Sequence, residues 1–123
     1  MKHALRDLPV VVLPVFNALD ALDACLAALD RSLPGGARVH LADDASTDPR
    51  VPALIEDWRR RTRLAVTWVR RERNLGFPGN CNAAFAETGS ADLVLLNTDT
   101  VPAGDWLRRL AACAASDARI ASA

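Results

Sequence analysis

The sequence has little that would mark a nucleic-acid-binding or a membrane-spanning protein. Its fifteen lysine and arginine residues balance fifteen aspartate and glutamate residues, so the formal net charge at pH 7 is zero. Binding to a phosphate backbone normally requires an excess of basic residues, which argues against nucleic acid as a partner. The longest apolar run, Val10 to Phe16, is far shorter than the roughly 20 residues that a transmembrane helix needs. We therefore expect no transmembrane segment.

Signals for secretion and for zinc binding are also missing. The first seven residues carry charge without a following apolar segment of the signal-peptide kind, so we expect a cytoplasmic chain, including the inner face of the membrane. Cys25, Cys81 and Cys113 are widely spaced, and His3 and His40 lie far apart. This spacing argues against a zinc site. We expect the cysteines to be small apolar side chains in a reducing compartment.

What the sequence does contain is an alternation of strand-like and helix-like segments. Valine-rich apolar runs predict strands, and leucines at steps of three and four predict helices. Four strands are expected, at Leu8–Leu13, Arg38–Ala42, Leu64–Val69 and Leu93–Leu96. Four helices are expected between and after them, from Asn17 to before Pro34, from Asp48 to about Arg61, from about Asn80 to Glu87 and from Ala103 to Ala115. A fifth strand is expected to begin at Arg119–Ile120. This order predicts a single α/β domain over residues 1–123, with an open, mostly parallel sheet and helices on both faces.

Acids and amides follow several of the predicted strands. In open parallel sheets, ligands bind beyond the carboxyl ends of the strands, where the strand order reverses. The four strand ends lead into Pro14–Asn17, Asp43–Asp48, Arg70–Phe77 and Asn97–Thr100, respectively. Because these ends should share one edge of the sheet, we expect their polar side chains to converge on a common site.

Some of these residues also have a structural explanation. Asn17 and Asp48 are suited to capping the helices that follow them. Capping explains Asp43, Asp44 and Asp99 less well, because two adjacent carboxylates repel each other and the turn after Asp99 has other helix-start signals. For these three acids we favour a functional role.

Two common nucleotide-related folds fit the pattern poorly. A dinucleotide-binding fold predicts G-x-G-x-x-G after the first strand, but "LPVFNALDAL" contains no glycine. A phosphoacceptor receiver domain would have its acidic pair after the first strand, whereas here the pair follows the second.

Four segments, in their order along the chain, resemble the N-terminal half of the family 2 inverting glycosyltransferases of GT-A fold. They are "VVVLPVFNALDALDACLAAL", "VHLADDASTD", "NLGFPGNCNAAF" and "LVLLNTDTVPAGDWL". The similarity spans nearly the whole chain and is greatest to bacterial, rhamnosyltransferase-like members of cell-surface polysaccharide assembly. It implies transfer of a sugar from a nucleoside-diphosphate sugar to a glycan or lipid-linked acceptor.

The resemblance also implies which residues form the site. Contacts to the nucleotide sugar are implied for Pro14, Val15, Phe16, Asn17, Asp43, Asp44, Asn74, Gly76, Phe77, Asn82 and Asn97. Asp99 is implied as the ligand of Mg²⁺ or Mn²⁺, in a D-x-D motif whose first acid is replaced by Asn97. One carboxylate can suffice, because these hard ions also take phosphate oxygens and waters as ligands.

Other features distinguish this chain from the family pattern. The family often has tyrosine at the position of Phe16 and glutamate at that of Ala18. In the family, the general base and the acceptor site lie in the C-terminal half, so we assign no catalytic residue in this chain and expect this portion alone to be inactive. We also expect the open edge of its sheet to favour self-association. The alternative is a non-catalytic nucleotide-binding or scaffold module, which Asn97 and Ala18 favour.

Overall fold

The computed structural model describes residues 8–89 and 92–116, which form four strands and four helices. In chain order these are β1 (Val10–Val15), α1 (Leu19–Ser32), β2 (Arg38–Asp43), α2 (Arg50–Arg61), β3 (Ala65–Arg70), α3 (Gly76–Thr88), β4 (Leu93–Leu95) and α4 (Trp106–Ala115). All eight of the strands and helices predicted up to Ala115 are thus confirmed, while the expected fifth strand lies outside the described residues. None of the described helices is long and apolar enough to cross a membrane.

The four strands form one parallel sheet in the order β3-β2-β1-β4. Val12 of β1 lies between His40 of β2 and Leu95 of β4, which sets the register across the sheet. The chain moves outward from β1 to β3 and then returns to place β4 on the other side of β1. The strand order therefore reverses between β1 and β4, the position where such sheets bind ligands.

Helices cover both faces of this sheet, as predicted. Because successive side chains of a strand point to opposite faces, Val11 and Leu13 pack on one side of β1, and Val10 and Val12 pack on the other. The larger core contains Leu22 and Leu26 of α1, Ile55 and Trp58 of α2, and Leu107 of α4. The smaller core joins Val10, Val12 and Ala42 to Ala84 of α3. Only α3 among the described helices packs on that second face.

Helix α3 begins at Gly76, earlier than the predicted start near Asn80. Pro78 falls within the first helical turn, where its missing N–H leaves no hydrogen bond unmade. The Asn74 Oδ1 atom accepts the N–H of Gly76 at 3.0 Å, which closes the turn before the helix. The residues before the predicted helix start therefore form the first turn of α3.

Helix α4 begins later than predicted, at Trp106 and not at Ala103. Gly104 has a φ of 69°, a left-handed conformation that interrupts a helix and that glycine adopts without strain. The Trp106 indole N–H then donates to the Ser32 Oγ atom at 2.9 Å and so attaches α4 to the end of α1. The longer loop leaves the segment after β4 near the surface.

Candidate functional site

An open cleft of about 540 Å³ lies at the carboxyl edge of the sheet. Its lining comprises Pro14, Val15, Phe16, Asp44, Asn74, Gly76, Phe77, Asn80, Asn97, Thr98 and Asp99. These residues lie in the last two positions of β1 or follow β1, β2, β3 and β4, so the carboxyl end of every strand contributes to the cleft. Asp44 and Asp99, which are distant in the sequence, thus line the same space.

Asp44 is held in a fixed orientation at the β2 side of the cleft. Only 4% of the residue is exposed, and its Oδ1 atom accepts the N–H of Leu75 at 2.7 Å. Its own N–H donates to the Val15 carbonyl at 2.8 Å. Within the described part of the chain, Oδ2 makes no hydrogen bond and is not a fully buried atom, so this oxygen is available to a ligand.

Asp43 has a different environment from its neighbour and does not line the cleft. It is completely buried, and its Oδ1 atom accepts the N–H of Ser46 at 3.0 Å. Its Oδ2 atom lies 3.6 Å from the Nε atom of Arg70 and has no hydrogen bond among the described residues. The two adjacent acids are therefore separated: Asp43 stabilises the turn after β2, and Asp44 faces the cleft.

Asn17 does not cap α1, so the capping prediction is wrong for this residue. The residue before the helix is Ala18, and it makes no side-chain capping hydrogen bond. Asn17 and Ala18 are both left-handed, with φ values of 51° and 55°, and this backbone directs the Asn17 side chain to the loop after β2. There its Oδ1 atom accepts the N–H groups of Thr47 and Asp48, each at 2.9 Å. Asn17 therefore ties two loops together and is not among the cleft-lining residues.

Asp48 bonds to the first residue of α2, although Pro49 and not Asp48 directly precedes the helix, so the predicted N-cap is one residue too early. Its Oδ1 atom accepts the N–H of Arg50 at 3.0 Å, and its Oδ2 atom lies 2.8 Å from an Arg50 guanidinium nitrogen. Hydrogen bonds from Arg50 lower the pKa of the Asp48 carboxyl below its usual value. These contacts with Arg50 explain Asp48 without a ligand.

The turn between β3 and α3 lines the cleft directly beside the end of β2. The Asn74 side chain donates to the Asp44 carbonyl at 3.2 Å, so the β2 and β3 ends are bonded to each other. Phe77 lies beside it in the first turn of α3, whereas Asn82 is exposed and outside the cleft lining. Asn74 and Gly76 thus line the cleft and Asn82 does not, while nucleotide-sugar contacts of Asn74 and Gly76 stay a prediction.

Asn80 is a cleft residue that sequence reasoning missed. It is 2% exposed, and its side-chain Nδ2 atom donates to the Ala42 carbonyl at 2.9 Å. A helix that starts at Asn80, as predicted, does not include Gly76. In the structure both residues belong to α3, and Asn80 lies one helical turn after Gly76. Helical spacing from Gly76 was the signal that could have found it.

Two phenylalanines leave large apolar surfaces at the cleft. Phe16, after β1, is 50% exposed, and Phe77, at the start of α3, is 55% exposed. Exposed aromatic rings at a concave site often mark a binding surface, because a flat ligand can bury them.

The β4 side of the cleft is formed by a short turn. The Thr100 hydroxyl donates to the Asn97 carbonyl at 2.6 Å, and the Thr100 N–H reaches the same oxygen at 3.2 Å. Asp99 is exposed and has no hydrogen bond or ion pair to its carboxylate within residues 8–89 and 92–116. Burial raises the pKa of the nearby Cys25 thiol to about 11, while a hydrogen bond with Thr100 opposes that rise. Asp99 is thus the least constrained acid of the cleft.

The family model for glycosyl transferase family 2 matches residues 10–122. The chain belongs to glycosyl transferase family 2. The fold and family implied by the four sequence segments are therefore confirmed, while similarity to rhamnosyltransferases within the family stays a prediction. No curated protein sequence matches the chain.

Solved structures of glycosyltransferases share this fold. A mannosyltransferase from Pyrobaculum calidifontis, solved with GDP-Man and Mn²⁺, is 24% identical with a TM-score of 0.77 over 89% of the chain. TarS from S. aureus in complex with UDP is 26% identical with a TM-score of 0.57 over 73% of the chain. The chain spans 33% of the mannosyltransferase and 27% of that TarS chain. The likeness to the mannosyltransferase supports the GT-A-type α/β architecture.

Proposed function

We propose that this chain forms the donor-binding part of a glycosyltransferase that takes a sugar from a nucleoside-diphosphate sugar and passes it to a cell-surface glycan or another acceptor. The observation that carries the proposal is the shared cleft of Asp44 and Asp99 at the β1–β4 reversal. Membership of the family makes sugar transfer the natural chemistry for such a cleft.

The nucleoside would lie on the β2–β3 side of the cleft. Asp44 has one carboxylate oxygen engaged by Leu75, which leaves the other to accept a hydrogen bond from a base N–H or a ribose hydroxyl. The exposed rings of Phe16 and Phe77 offer apolar surface to the base. The solved TarS structure with UDP and the mannosyltransferase with GDP-Man support a nucleotide ligand of this class.

The diphosphate would lie on the β4 side, with a divalent metal ion. Asp99 supplies an accessible carboxylate, Asn97 an amide oxygen and Thr98 a hydroxyl, all at the cleft. These hard oxygen donors fit Mg²⁺ or Mn²⁺ held jointly by the protein and a diphosphate. No group of three acidic, histidine or cysteine side chains among the described residues could hold an ion alone, so the ligand's own oxygens are needed. Bound there, such an ion would neutralise charge on the departing diphosphate.

The test is calorimetry of UDP, GDP and dTDP binding with and without Mn²⁺. We expect one nucleotide to bind more tightly with the metal, and Asp99→Ala to lose this gain while keeping weak metal-independent binding. Asp105→Ala is the matched control, because Asp105 is also exposed in the turn before α4 but lies outside the cleft lining. An Asp99→Ala protein with the full metal-dependent gain would contradict the assignment of Asp99.

A non-catalytic nucleotide-binding module is the second candidate, and the amide of Asn97 at the first D-x-D position favours it. The two functions differ in turnover. A glycosyltransferase consumes the nucleotide sugar that it binds and releases a nucleoside diphosphate, whereas a module binds without turnover. Release of nucleoside diphosphate, measured with the protein that carries this chain and a panel of glycan acceptors, separates the two.

A further inference from the structure

A bidentate ion pair lies behind the cleft, between Arg71 and Glu87. Arg71 follows β3 directly, and Glu87 lies in the last turn of α3. One guanidinium nitrogen donates to the Glu87 Oε1 atom at 2.9 Å, and the other donates to Oε2. The Arg71 side chain is only 9% exposed. Paired contacts of this kind hold a guanidinium in one orientation.

The same guanidinium also reaches the cleft lining. The Arg71 Nε atom donates to the Asn80 Oδ1 atom at 3.0 Å, and the Asn80 Nδ2 atom donates to the Ala42 carbonyl at 2.9 Å. The Arg71 main-chain N–H donates to the Asp43 carbonyl at 2.8 Å. Arg71 thus joins the end of β2 to α3, although neither Arg71 nor Glu87 lines the cleft.

We propose that Arg71, held by Glu87, is a positioning residue for donor binding, which it serves by orienting Asn80 and the first turn of α3 against the end of β2. This inference rests on the proposed function of the cleft. Asn80 is buried, and its amide has one orientation that satisfies both Arg71 and the Ala42 carbonyl. Loss of the guanidinium leaves the buried Oδ1 atom without its partner, a cost that movement of Asn80 would relieve. Gly76 and Phe77 would then shift with it, because they form the helical turn directly before Asn80.

The chain of contacts from Asn80 through Arg71 to Glu87 continues, away from the cleft, to His40 and Thr67. We call these five residues the network. His40 is buried, and its Nε2 atom lies 3.0 Å from the Glu87 Oε1 atom, while its Nδ1 atom lies 2.6 Å from the Thr67 hydroxyl. Thr67 is therefore at the end of the network distant from Asn80. Changes at Thr67 should affect stability without altering the cleft.

The decisive variant is Arg71→Lys, which keeps the charge but cannot bond Glu87 and Asn80 at once because lysine has no planar fork. We expect about tenfold weaker binding of the preferred nucleoside diphosphate with Mn²⁺, the size of one lost charge-assisted hydrogen bond. Glu87→Gln should change affinity in the same direction by less, and it serves as the second variant if Arg71→Lys does not fold. Amide hydrogen exchange in residues 76–81 should be faster in both proteins.

Two controls separate positioning from a general loss of stability. Thr67→Val removes the distant end of the network, and Trp58→Phe removes the 2.8 Å hydrogen bond to Asp30 on the opposite face of the sheet. Both should lower the unfolding free energy and leave nucleotide affinity unchanged. A double variant, Arg71→Lys with Asn80→Ala, should bind no more weakly than Asn80→Ala alone, because Arg71 acts through Asn80.

Three outcomes would overturn the proposal or its foundation, and they differ. Wild-type affinity in Arg71→Lys together with reduced stability would make the ion pair purely structural. Additive losses in the double variant would show that Arg71 does not act through Asn80. If the wild-type protein bound none of the nucleotides, the proposed function of the cleft would fail. Hydrogen exchange would then decide alone whether Arg71 positions α3: unchanged exchange in residues 76–81 of Arg71→Lys would reject it.

Discussion

The two sides of the cleft differ in how completely the protein orders them before any ligand binds. On the β2–β3 side, Asp44, Asn74 and Asn80 each hydrogen-bond to another segment, and Asp44 and Asn80 are almost fully buried. On the β4 side, Asp99 is exposed, and its carboxylate has no protein partner within the described ranges. If the cleft has the proposed function, the β2–β3 side would meet the nucleotide already ordered. The β4 side would become ordered only when the diphosphate and the metal ion bind.

The sheet accounts for this difference. Strand β2 pairs with β3 over six residues, whereas β4 pairs with β1 over three. Longer pairing holds the β2 and β3 ends at a defined separation, so side chains that bond between them can be satisfied together. A short strand at the edge of the described sheet leaves the following turn dependent on its own hydrogen bonds, which here come mainly from Thr100.

The largest expected difference between the two sides is in the stability cost of removing an acid. Asp44→Ala leaves the Leu75 N–H without its acceptor and should lower the unfolding free energy by about 1–3 kcal/mol. Asp99→Ala removes an exposed side chain and should change it by less than about 0.5 kcal/mol. Urea denaturation of both variants measures this, and equal costs would refute the contrast. Both variants should nevertheless bind nucleotide more weakly with Mn²⁺.

A smaller effect is expected from the turn that carries Asp99. Thr100→Val removes the hydroxyl that donates to the Asn97 carbonyl, at a cost of about 1 kcal/mol in unfolding free energy. Because that bond shapes the turn, the Mn²⁺-dependent part of nucleotide binding should weaken, as calorimetry would show. Thr88→Val is the matched control, since Thr88 makes the same kind of bond to the Phe85 carbonyl at 3.0 Å, away from the cleft. Equal affinities for the two variants would show that the Thr100 bond has no role in the site.

Most of the fold could be predicted from the sequence because its determinants are local. Apolar runs, leucine spacing and glycine–proline breaks give the order of strands and helices, and alternating order gives a parallel sheet. Helix boundaries were less accurate at α3 and α4. Pro78 does not prevent an earlier start of α3, because proline is tolerated in a first turn, and the left-handed Gly104 delays the start of α4.

The sequence predicted which main-chain segments meet at the cleft, but it did not predict the direction of every side chain there. Strand ends had to meet at one edge, so Asp44 and Asp99 could be placed at the same cleft. Which member of the Asp43–Asp44 pair faces the cleft depends on long-range hydrogen bonds, as does the use of Asn17 to tie two loops. The Arg71–Glu87 pair joins residues sixteen positions apart in the chain, and no sequence pattern indicated it.

A still smaller effect is expected in the loop between β1 and α1, which Asn17 bonds to the loop after β2. Ala18 is left-handed, with φ 55° and ψ 55°, a conformation that costs an L-residue roughly 1 kcal/mol. Ala18→Gly should remove that strain and raise the unfolding free energy by about 0.5 kcal/mol, after allowance for the greater freedom of glycine in the unfolded chain. Ala27→Gly, at an exposed position inside α1, should instead lower it by about 1 kcal/mol. The same sign for both variants in urea denaturation would show that Ala18 is not strained.

The smallest effect should be a pH dependence that arises from the ion pair behind the ordered side. Hydrogen bonds from Arg71, and to a lesser extent from His40, hold the pKa of Glu87 below its ordinary value of 4.5. A lowered pKa in the folded state stabilises the protein above the unfolded value, and this contribution is lost as the pH falls through the folded value. The difference in unfolding free energy between wild type and Glu87→Gln should therefore be constant near neutral pH and shrink below about pH 4.5.

Glu56→Gln, which removes an exposed pair with Arg59 at 3.7 Å, should change the unfolding free energy little throughout. If the wild type and Glu87→Gln differed by the same amount in acid as at neutral pH, the carboxylate of Glu87 would not be the group that the Arg71 guanidinium stabilises, and the ordered side of the cleft would depend on the shape of this side chain and not on its charge.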